Sequence, residues 1–306
     1  MQRRTPLAVL TGLAAFPGAF MTTSLSSAAT APALQALKPS PRMPVMFVGH
    51  GSPMNAIEDN AWRRSWQAMG AELMARAAQP QLILCVSAHW LTRGGWQLTG
   101  MANPKTIHDF GGFPQALFDQ QYPVPGAPAV ARSLAKELKS PATGAALGVD
   151  EGEWGLDHGT WGVLIKMYPD ADIPIVQLSI DGTKPAEYHY QLGRKLAALR
   201  EQGVMIVASG NVVHNLRMVK WQGDTTPYPW AESFDKFVRD NLNYRGDNHP
   251  LVNFMQHQGA ALSNPTPEHY LPLLYVLGSW DGEEAISVPV DGIEMGALSM
   301  LSVQVG

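Results

Sequence analysis

From residue 43 onward, short apolar runs alternate with longer segments whose apolar residues recur at helical spacing. The runs are aliphatic or β-branched and are bounded by Gly, Pro or Asn, which is typical of strands covered on both faces of a sheet. These runs span Val45–Val48, Gln81–Ser87, Ile173–Ile180, Val204–Ser209 and Ala297–Val305. The helix-like segments span Ala61–Ala78, Ala127–Leu138, Pro185–Glu201, Trp230–Leu242 and Pro267–Leu277. The alternation predicts an α/β fold, an αβα sandwich around a mostly parallel or mixed central sheet. No linker or repeat interrupts it, so we expect a single domain over residues 43–306.

The first 42 residues have a different character. Arg3 and Arg4 precede a mostly apolar stretch, 7–21, and a Ser/Thr/Ala-rich stretch follows. This order is typical of a secretory signal peptide, and the paired arginines indicate the twin-arginine route, with Sec export as the other route. We therefore predict a signal peptide and flexible segment over residues 1–42. The mature protein would be periplasmic, begin near residue 30, have no membrane association, and use nothing before Met43 in its folded core. The alternative is a cytoplasmic protein with a disordered extension.

Charge and cysteine content narrow the classes of partner and site. The net charge is −4 and no cluster of Lys and Arg forms a basic stripe, so we expect no nucleic-acid partner. Cys85 is the only cysteine, which excludes an intrachain disulfide and a cysteine-based zinc site. Its apolar neighbours predict a buried, unreactive thiol. The sequence leaves the oligomeric state open.

Three histidines follow predicted strands directly. His50 lies in G-H-G-S-P, His89 in S-A-H-W and His214 in S-G-N-V-V-H-N, while His269 lies in N-P-T-P-E-H-Y at a predicted helix start. Because loops at the carboxyl ends of parallel strands meet at one sheet edge, these imidazoles should lie close together. Neutral imidazole is a good ligand for iron or zinc, so the pattern favours a shared metal site over separate structural histidines.

Two glycines flank the first of these histidines. Gly49 and Gly51 lack Cβ atoms, so they permit unusual backbone angles and a close approach of the chain. We interpret them as the means by which the turn directs His50 toward the site.

The other histidines have weaker signals. His158, in W-G-L-D-H-G-T-W, is a candidate for an acid–base role, or else a loop histidine bonded to Asp157. His108 belongs to a Gly- and aromatic-rich loop, T-I-H-D-F-G-G-F-P, that could cover a flat ring. The remaining three are expected to face solvent: His189, His249 and His257.

Six separated motifs together resemble the 4,5-DOPA-extradiol-dioxygenase family, within the class III extradiol ring-cleaving dioxygenases. They are G-H-G-S-P-M-N, C-V-S-A-H-W, T-I-H-D-F-G-G-F-P, W-G-L-D-H-G-T-W-G-V-L, A-S-G-N-V-V-H-N-L and N-P-T-P-E-H-Y-L-P-L-L. The resemblance runs from about Met43 to the C-terminus. It implies that residues 43–306 form an αβα catalytic domain with one divalent metal, a mononuclear non-haem iron. This centre would open a catechol ring of an L-DOPA-like substrate next to its two hydroxyls with O2, at the 4,5 position or, as the alternative, at the 2,3 position.

The resemblance also implies a ligand set. The family's zinc ligands correspond to His50, His89, His214 and His269. The wider class III superfamily uses two histidines and one glutamate. Glu268 is adjacent to the last position, but His269 is the residue that matches.

Our hypothesis is that His50, His89 and His269 hold Fe(II) and leave positions open for the substrates. His214 would then act as acid and base, a task suited to a pKa near 7. With Zn(II), which prefers four tetrahedral ligands, His214 could close the shell instead. His158 is the second acid–base candidate. The alternatives are a zinc-dependent hydrolase and a non-catalytic metal- or ligand-binding protein on the same fold.

Overall fold

Ten strands and eight helices organise residues 37–306, the part of the chain that this computed structural model describes. The strands are β1 Val45–Gly49, β2 Leu82–Thr92, β3 Gln97–Thr99, β4 Gly148–Asp150, β5 Ile175–Asp181, β6 Val204–Gly210, β7 Ile286–Val290, β8 Ile293–Glu294, β9 Leu298–Ser299 and β10 Ser302–Val305. The helices are α1 Ala61–Met74, α2 Gln115–Phe118, α3 Pro128–Glu137, α4 His158–Met167, α5 Ala186–Leu196, α6 Pro229–Asn241, α7 Ala260–Ser263 and α8 Leu271–Ser279.

Eight of the strands form one mixed sheet in the order β4-β3-β5-β2-β6-β1-β10-β7. The four central strands, β5, β2, β6 and β1, are mutually parallel, while β3 and β10 flank them in antiparallel pairings. Strands β8 and β9 form a separate small ribbon. The parallel centre brings the carboxyl ends of β1, β2 and β6 to one edge, where Gly49 is paired with Gly210 and Ser87 with Ser209.

Helices cover both faces of the sheet. Helices α1 and α4 pack together on one face, and α3, α5 and α8 lie on the other. Side chains along β1 alternate accordingly, because Met46 and Val48 join the core on the α4 side whereas Val45 and Phe47 join the core on the α8 side. The predicted αβα sandwich around a mixed sheet is confirmed.

Most predicted elements are present, with differences at their ends. The single strand predicted over Ala297–Val305 is wrong, because β9 pairs with β8 and β10 pairs with β1. The helix predicted from Pro267 begins only at Leu271, after a turn in which the Tyr270 N–H donates to the Pro267 carbonyl. Helix α4 was not predicted, because it is buried on nearly all sides and so shows no polar face.

The N-terminal prediction is corrected in part. Residues 1–36, which carry the predicted signal peptide, lie outside the described residues. Residues 37–42 are docked onto the domain, since Leu37 packs against the core and Lys38 exchanges hydrogen bonds with the Gln81 side chain at 2.8 and 3.0 Å. The expectation that nothing before Met43 joins the folded core is therefore wrong for these residues. No helix within residues 37–306 is long and apolar enough to cross a membrane.

Candidate metal centre

Three imidazoles from separate elements meet at the carboxyl edge of the parallel strands. His50 follows β1, His89 lies within β2 where its register with β5 shifts, and His269 lies in the turn before α8. One ring nitrogen from each of the three lies within 4.8 Å of the others. His50 and His269 are buried and His89 is partly buried.

Each of these rings is held through Nδ1. His50 Nδ1 lies 3.0 Å from Ser209 Oγ, His89 Nδ1 lies 3.3 Å from Asp109 Oδ2, and His269 Nδ1 lies 3.2 Å from the Glu268 carboxylate. Partners of this kind fix the orientation and tautomer of a metal-ligating histidine. They leave the Nε2 atom of each ring to bind a metal.

The Nε2 atoms have a spacing that suits one ion. His50 Nε2 and His89 Nε2 lie 3.2 Å apart. Two nitrogens that each lie about 2.1 Å from one ion are separated by about 3.0 Å at a right angle and about 3.4 Å at the tetrahedral angle. His269 Nε2 is buried and has no hydrogen-bond partner, an arrangement that costs free energy unless a ligand satisfies the atom. The three residues therefore fit a divalent metal.

His214 occupies a different position. Its ring stacks on that of His269, with centroids 3.4 Å apart and planes 5° from parallel. A nitrogen lone pair lies in the plane of its ring, and two parallel rings 3.4 Å apart carry their lone pairs in separate planes, so His214 and His269 would not both direct a lone pair at one ion bonded at about 2 Å. The structure therefore places His214 beside the three-histidine group and orients it poorly for binding the same ion.

His158 also lies beside the group, at the first residue of α4. Its ring centroid is 4.0 Å from that of His89. The alternative of a loop histidine bonded to Asp157 is wrong: Asp157 caps α4 by accepting from the Thr160 N–H at 3.2 Å, and His158 bonds to Asp109 instead. The side chain of an N-cap residue turns toward the free backbone N–H groups of the first helical turn, so the Asp157 carboxylate is directed away from the imidazole of His158.

The environment of the histidine cluster favours the neutral form of each imidazole. Burial lowers the pKa of His50, His89 and His269 well below the ordinary value, and neighbouring imidazoles lower it further. Burial, followed by the influence of His158, lowers the pKa of His214 to about 4. The pKa near 7 expected for His214 is therefore not present in this environment. Neutral rings are the form that binds a metal or accepts a proton.

Glycines allow the backbone segments of the site to approach one another. Gly51 has a φ of +57°, a left-handed conformation that favours glycine, as the turn around His50 was expected to need. At the end of β6, a Cβ on Gly210 would lie only 2.2 Å from the carbonyl oxygen of His269. The same carbonyl accepts the Asn211 N–H at 2.8 Å, which ties the segment carrying His269 to β6.

The histidines open into a cavity of about 360 Å³, a size that suits a small aromatic ligand. Its other side chains are largely apolar, and they include Phe110, Phe113, Leu216, Trp221, Met295 and Leu298. The Gly- and aromatic-rich loop thus lines the cavity, although His108 itself lies against Trp161 with its Nε2 2.9 Å from the Gln120 carbonyl. A larger cleft of about 900 Å³ lies along α5, but none of the potential metal-binding groups found within residues 37–306 lines it.

Sequence reasoning placed two distant histidines wrongly. His189 is fully buried between α5 and α8, where its Nδ1 lies 2.8 Å from Tyr275 Oη, and His249 is also buried. His257 is half-buried and stacks on Phe237. The prediction that these rings face solvent is therefore wrong for the first two. Cys85 is buried as predicted, and burial raises its pKa to about 12.

Three site residues were missed. Asp109 contacts both His89 and His158, Ser209 supports His50, and Trp221 lines the cavity while remaining 65% exposed. Asp109 stands within a quoted motif, so its position beside His108 was the available signal. Nothing in the local sequence distinguishes Ser209 or Trp221.

An αβα sandwich with this histidine cluster beneath an aromatic-lined cavity is the arrangement of a metal-dependent enzyme for small aromatic molecules. Residues 44–299 match the family described as the catalytic LigB subunit of aromatic ring-opening dioxygenase, and the chain belongs to that family. The enzyme class implied by the motifs, an extradiol ring-cleaving dioxygenase, is confirmed.

Comparisons with individual proteins support the same family assignment. The chain is 63% identical over 269 residues to the 4,5-DOPA dioxygenase extradiol of Escherichia coli (strain K12), covering 87% of this chain and 96% of the relative. It is 33% identical over 251 residues to the protein of the same name from Beta vulgaris, covering 77% and 91%. Among solved structures, an uncharacterized protein of Escherichia coli K12 is 58% identical with a TM-score of 0.75, covering 87% of this chain and 100% of that one.

Proposed function

We propose that the protein opens the ring of a catechol beside its two hydroxyls, with O2 as the second substrate and one Fe(II) ion per chain. The observation that carries this proposal is the convergence of His50, His89 and His269, whose Nε2 atoms are left free for one ion at a cavity of the right size. When bound, the metal would supply a Lewis acid and a common attachment point for catechol and O2.

The chain's own residues would bind and orient the ring. Phe110, Phe113 and Trp221 offer apolar and aromatic surface against which a flat ring can pack. Holding the two substrates in one geometry replaces a collision in solution by a reaction within a complex, which lowers the barrier.

Two further imidazoles are available for proton transfer. His214 is neutral at pH 7, because its pKa is lowered to about 4, so it begins the reaction as a base that can accept a catechol proton. It would later return that proton to the oxygen formed by ring cleavage. His158, whose Nδ1 is bonded to Asp109, has its Nε2 available and is the second candidate for this role.

The substrate expected is an L-DOPA-like catechol. The relatives from Escherichia coli and Beta vulgaris both carry the name 4,5-DOPA dioxygenase extradiol, which supports cleavage between carbons 4 and 5. The cavity of about 360 Å³ admits a single substituted ring.

The test is to load metal-free protein with Fe(II) without oxygen, and then measure O2 uptake and yellow-product absorbance with a panel of catechols that includes L-DOPA. We expect one O2 consumed per ring opened with Fe(II), and no turnover with Zn(II). Turnover with Zn(II) that consumes no O2 and gives no ring-opened product would favour a zinc-dependent hydrolase. Binding of catechol without turnover under either metal would favour a non-catalytic binding protein.

Variants of the proposed ligands provide the matched controls. His50→Ala and His89→Ala should each lose the metal and the activity, because removing one of three ligands leaves no adequate site. His257→Gln, at a half-buried ring outside the cluster, should retain both. Stoichiometric metal in either ligand variant, measured by elemental analysis, would contradict the assignment.

We also propose that the protein is exported to the periplasm. The support is the order of Arg3, Arg4, the apolar stretch 7–21 and the following Ser/Ala-rich residues. The twin-arginine route exports folded proteins, so the protein could bind its metal in the cytoplasm and be exported with the metal already in the site.

A further inference from the structure

One carboxylate touches two of the histidines that surround the cavity. Asp109 Oδ1 accepts the backbone N–H of His158 at 2.9 Å, and Oδ2 lies 3.0 Å from His158 Nδ1 and 3.3 Å from His89 Nδ1. Its side chain is only 14% exposed.

An ionised carboxylate fixes the proton positions on both rings. It can only accept hydrogen bonds, so the Nδ1 of His158 bonded to it must carry a proton, and its negative charge 3.3 Å from His89 Nδ1 favours the proton on that atom as well. In a neutral imidazole the other nitrogen is then unprotonated. His89 Nε2, which faces His50 Nε2 at 3.2 Å, and His158 Nε2 are thereby left with free lone pairs.

We infer that Asp109 is a positioning residue that sets the tautomer and orientation of the metal ligand His89 and of the acid–base candidate His158 at the same time. Asp109 belongs to the loop that lines the cavity, so this loop also influences whether the ligand His89 is in the tautomer that binds a metal. The effect on His89 requires only metal binding, whereas the effect on His158 rests on the proposed function.

Asparagine is the informative substitution, because it preserves shape and removes one acceptor. If the amide oxygen replaces Oδ2, its NH2 group faces the backbone N–H of His158, and two donors oppose each other. If the amide is reversed, its NH2 group faces both Nδ1 atoms and drives the rings to the Nε2–H tautomer. Nε2 of His89 could then no longer bind a metal, and Nε2 of His158 could no longer accept a proton.

The first measurement is Zn(II) affinity, determined by competition with a chelator. Asp109→Asn should bind Zn(II) about 10- to 100-fold more weakly than the unaltered protein, the usual cost of losing a partner behind a ligand. Asp119→Asn, at an exposed aspartate ten residues along the same segment, should bind it normally. Affinity within about twofold of normal in Asp109→Asn would overturn the inference for His89.

The second measurement is a double-variant comparison with Fe(II) and a catechol. Asp109→Asn should lower kcat about 100-fold or more and change KM less, because the substitution affects a proton acceptor. With kcat expressed per bound Fe(II), the same substitution in a His158→Ala background should lower kcat little further, while the loss of Zn(II) affinity persists through His89. A kcat loss that is undiminished in the His158→Ala background would overturn the inference for His158.

A third measurement uses the unaltered, metal-free protein and so does not depend on any variant folding. Nitrogen-15 NMR of the imidazoles should show the proton on Nδ1 of His89 and of His158. Nε2–H on either ring would overturn the corresponding half of the inference. If no catechol is turned over at all, the proposed function fails, and the Zn(II) and NMR measurements still decide the role of Asp109.

Discussion

Replacing His214 by alanine should leave the metal bound and remove most of the turnover. The reason is the stacked geometry, in which the rings of His214 and His269 lie 3.4 Å apart and 5° from parallel. Rings stacked in this way would not both direct a lone pair at one metal ion. We therefore expect His214 to contribute a proton acceptor and a stacking surface, and no metal bond.

The two contributions differ in size. Loss of the stacked ring removes about 0.5–1.5 kcal/mol of contact with His269, which corresponds to at most about a tenfold loss of metal affinity. Loss of a general acid–base typically costs 10²–10⁴-fold in rate, or about 3–5 kcal/mol of barrier. His214→Ala should therefore separate the two properties, with kcat falling far more than metal affinity.

The assay pairs elemental analysis with turnover. His214→Ala is compared with His269→Ala, a variant of the ring on which it stacks, after identical Fe(II) loading. We expect near-stoichiometric iron in His214→Ala and little in His269→Ala, with both nearly inactive toward catechol. An iron-free His214→Ala protein would refute the reasoning and make His214 a fourth ligand.

Two other predictions concern the backbone and the N-terminus. Gly210→Ala should lower the free energy of unfolding by about 1–3 kcal/mol in urea titrations and weaken metal binding, because the new Cβ would lie 2.2 Å from the His269 carbonyl oxygen. Gly152→Ala, at a position with no atom within 4 Å of the new Cβ, is its control, and equal stability of the two variants would contradict the argument. Arg3 and Arg4 changed together to Lys should keep the precursor in the cytoplasm, as fractionation would reveal. Native protein that begins at Met1 would disprove export.

The fold was predictable where its signals are local. The runs that became β1 and β6 are short, apolar and bounded by turn residues, so their ends could be located within one position, whereas β2 continues to Thr92, beyond the predicted run. Helix α4 could not be found in this way, because burial on nearly all sides removes the polar face that reveals a helix. His189 was misplaced because its partner, Tyr275, is 86 residues away along the chain.

The candidate site could also be predicted from the sequence only in part. His50 and His214 follow β1 and β6, and His89 lies near the end of β2, so their proximity at one sheet edge could be inferred from chain order alone. The different position of His214 could not, because stacking on His269 depends on how the turn before α8 meets β6. Asp109 lies 49 residues from His158 in an irregular loop, where no periodic pattern indicates which side chains meet.

The position of the metal tests the account most directly. Crystals of the Fe(II)-loaded protein, measured by anomalous X-ray scattering at the iron edge, would locate the ion and its ligands. We predict one ion, about 2 Å from Nε2 of His50, His89 and His269, with His214 unbound and stacked beside it. An ion held instead by the neighbouring group His214, Glu268 and His269 would contradict the account.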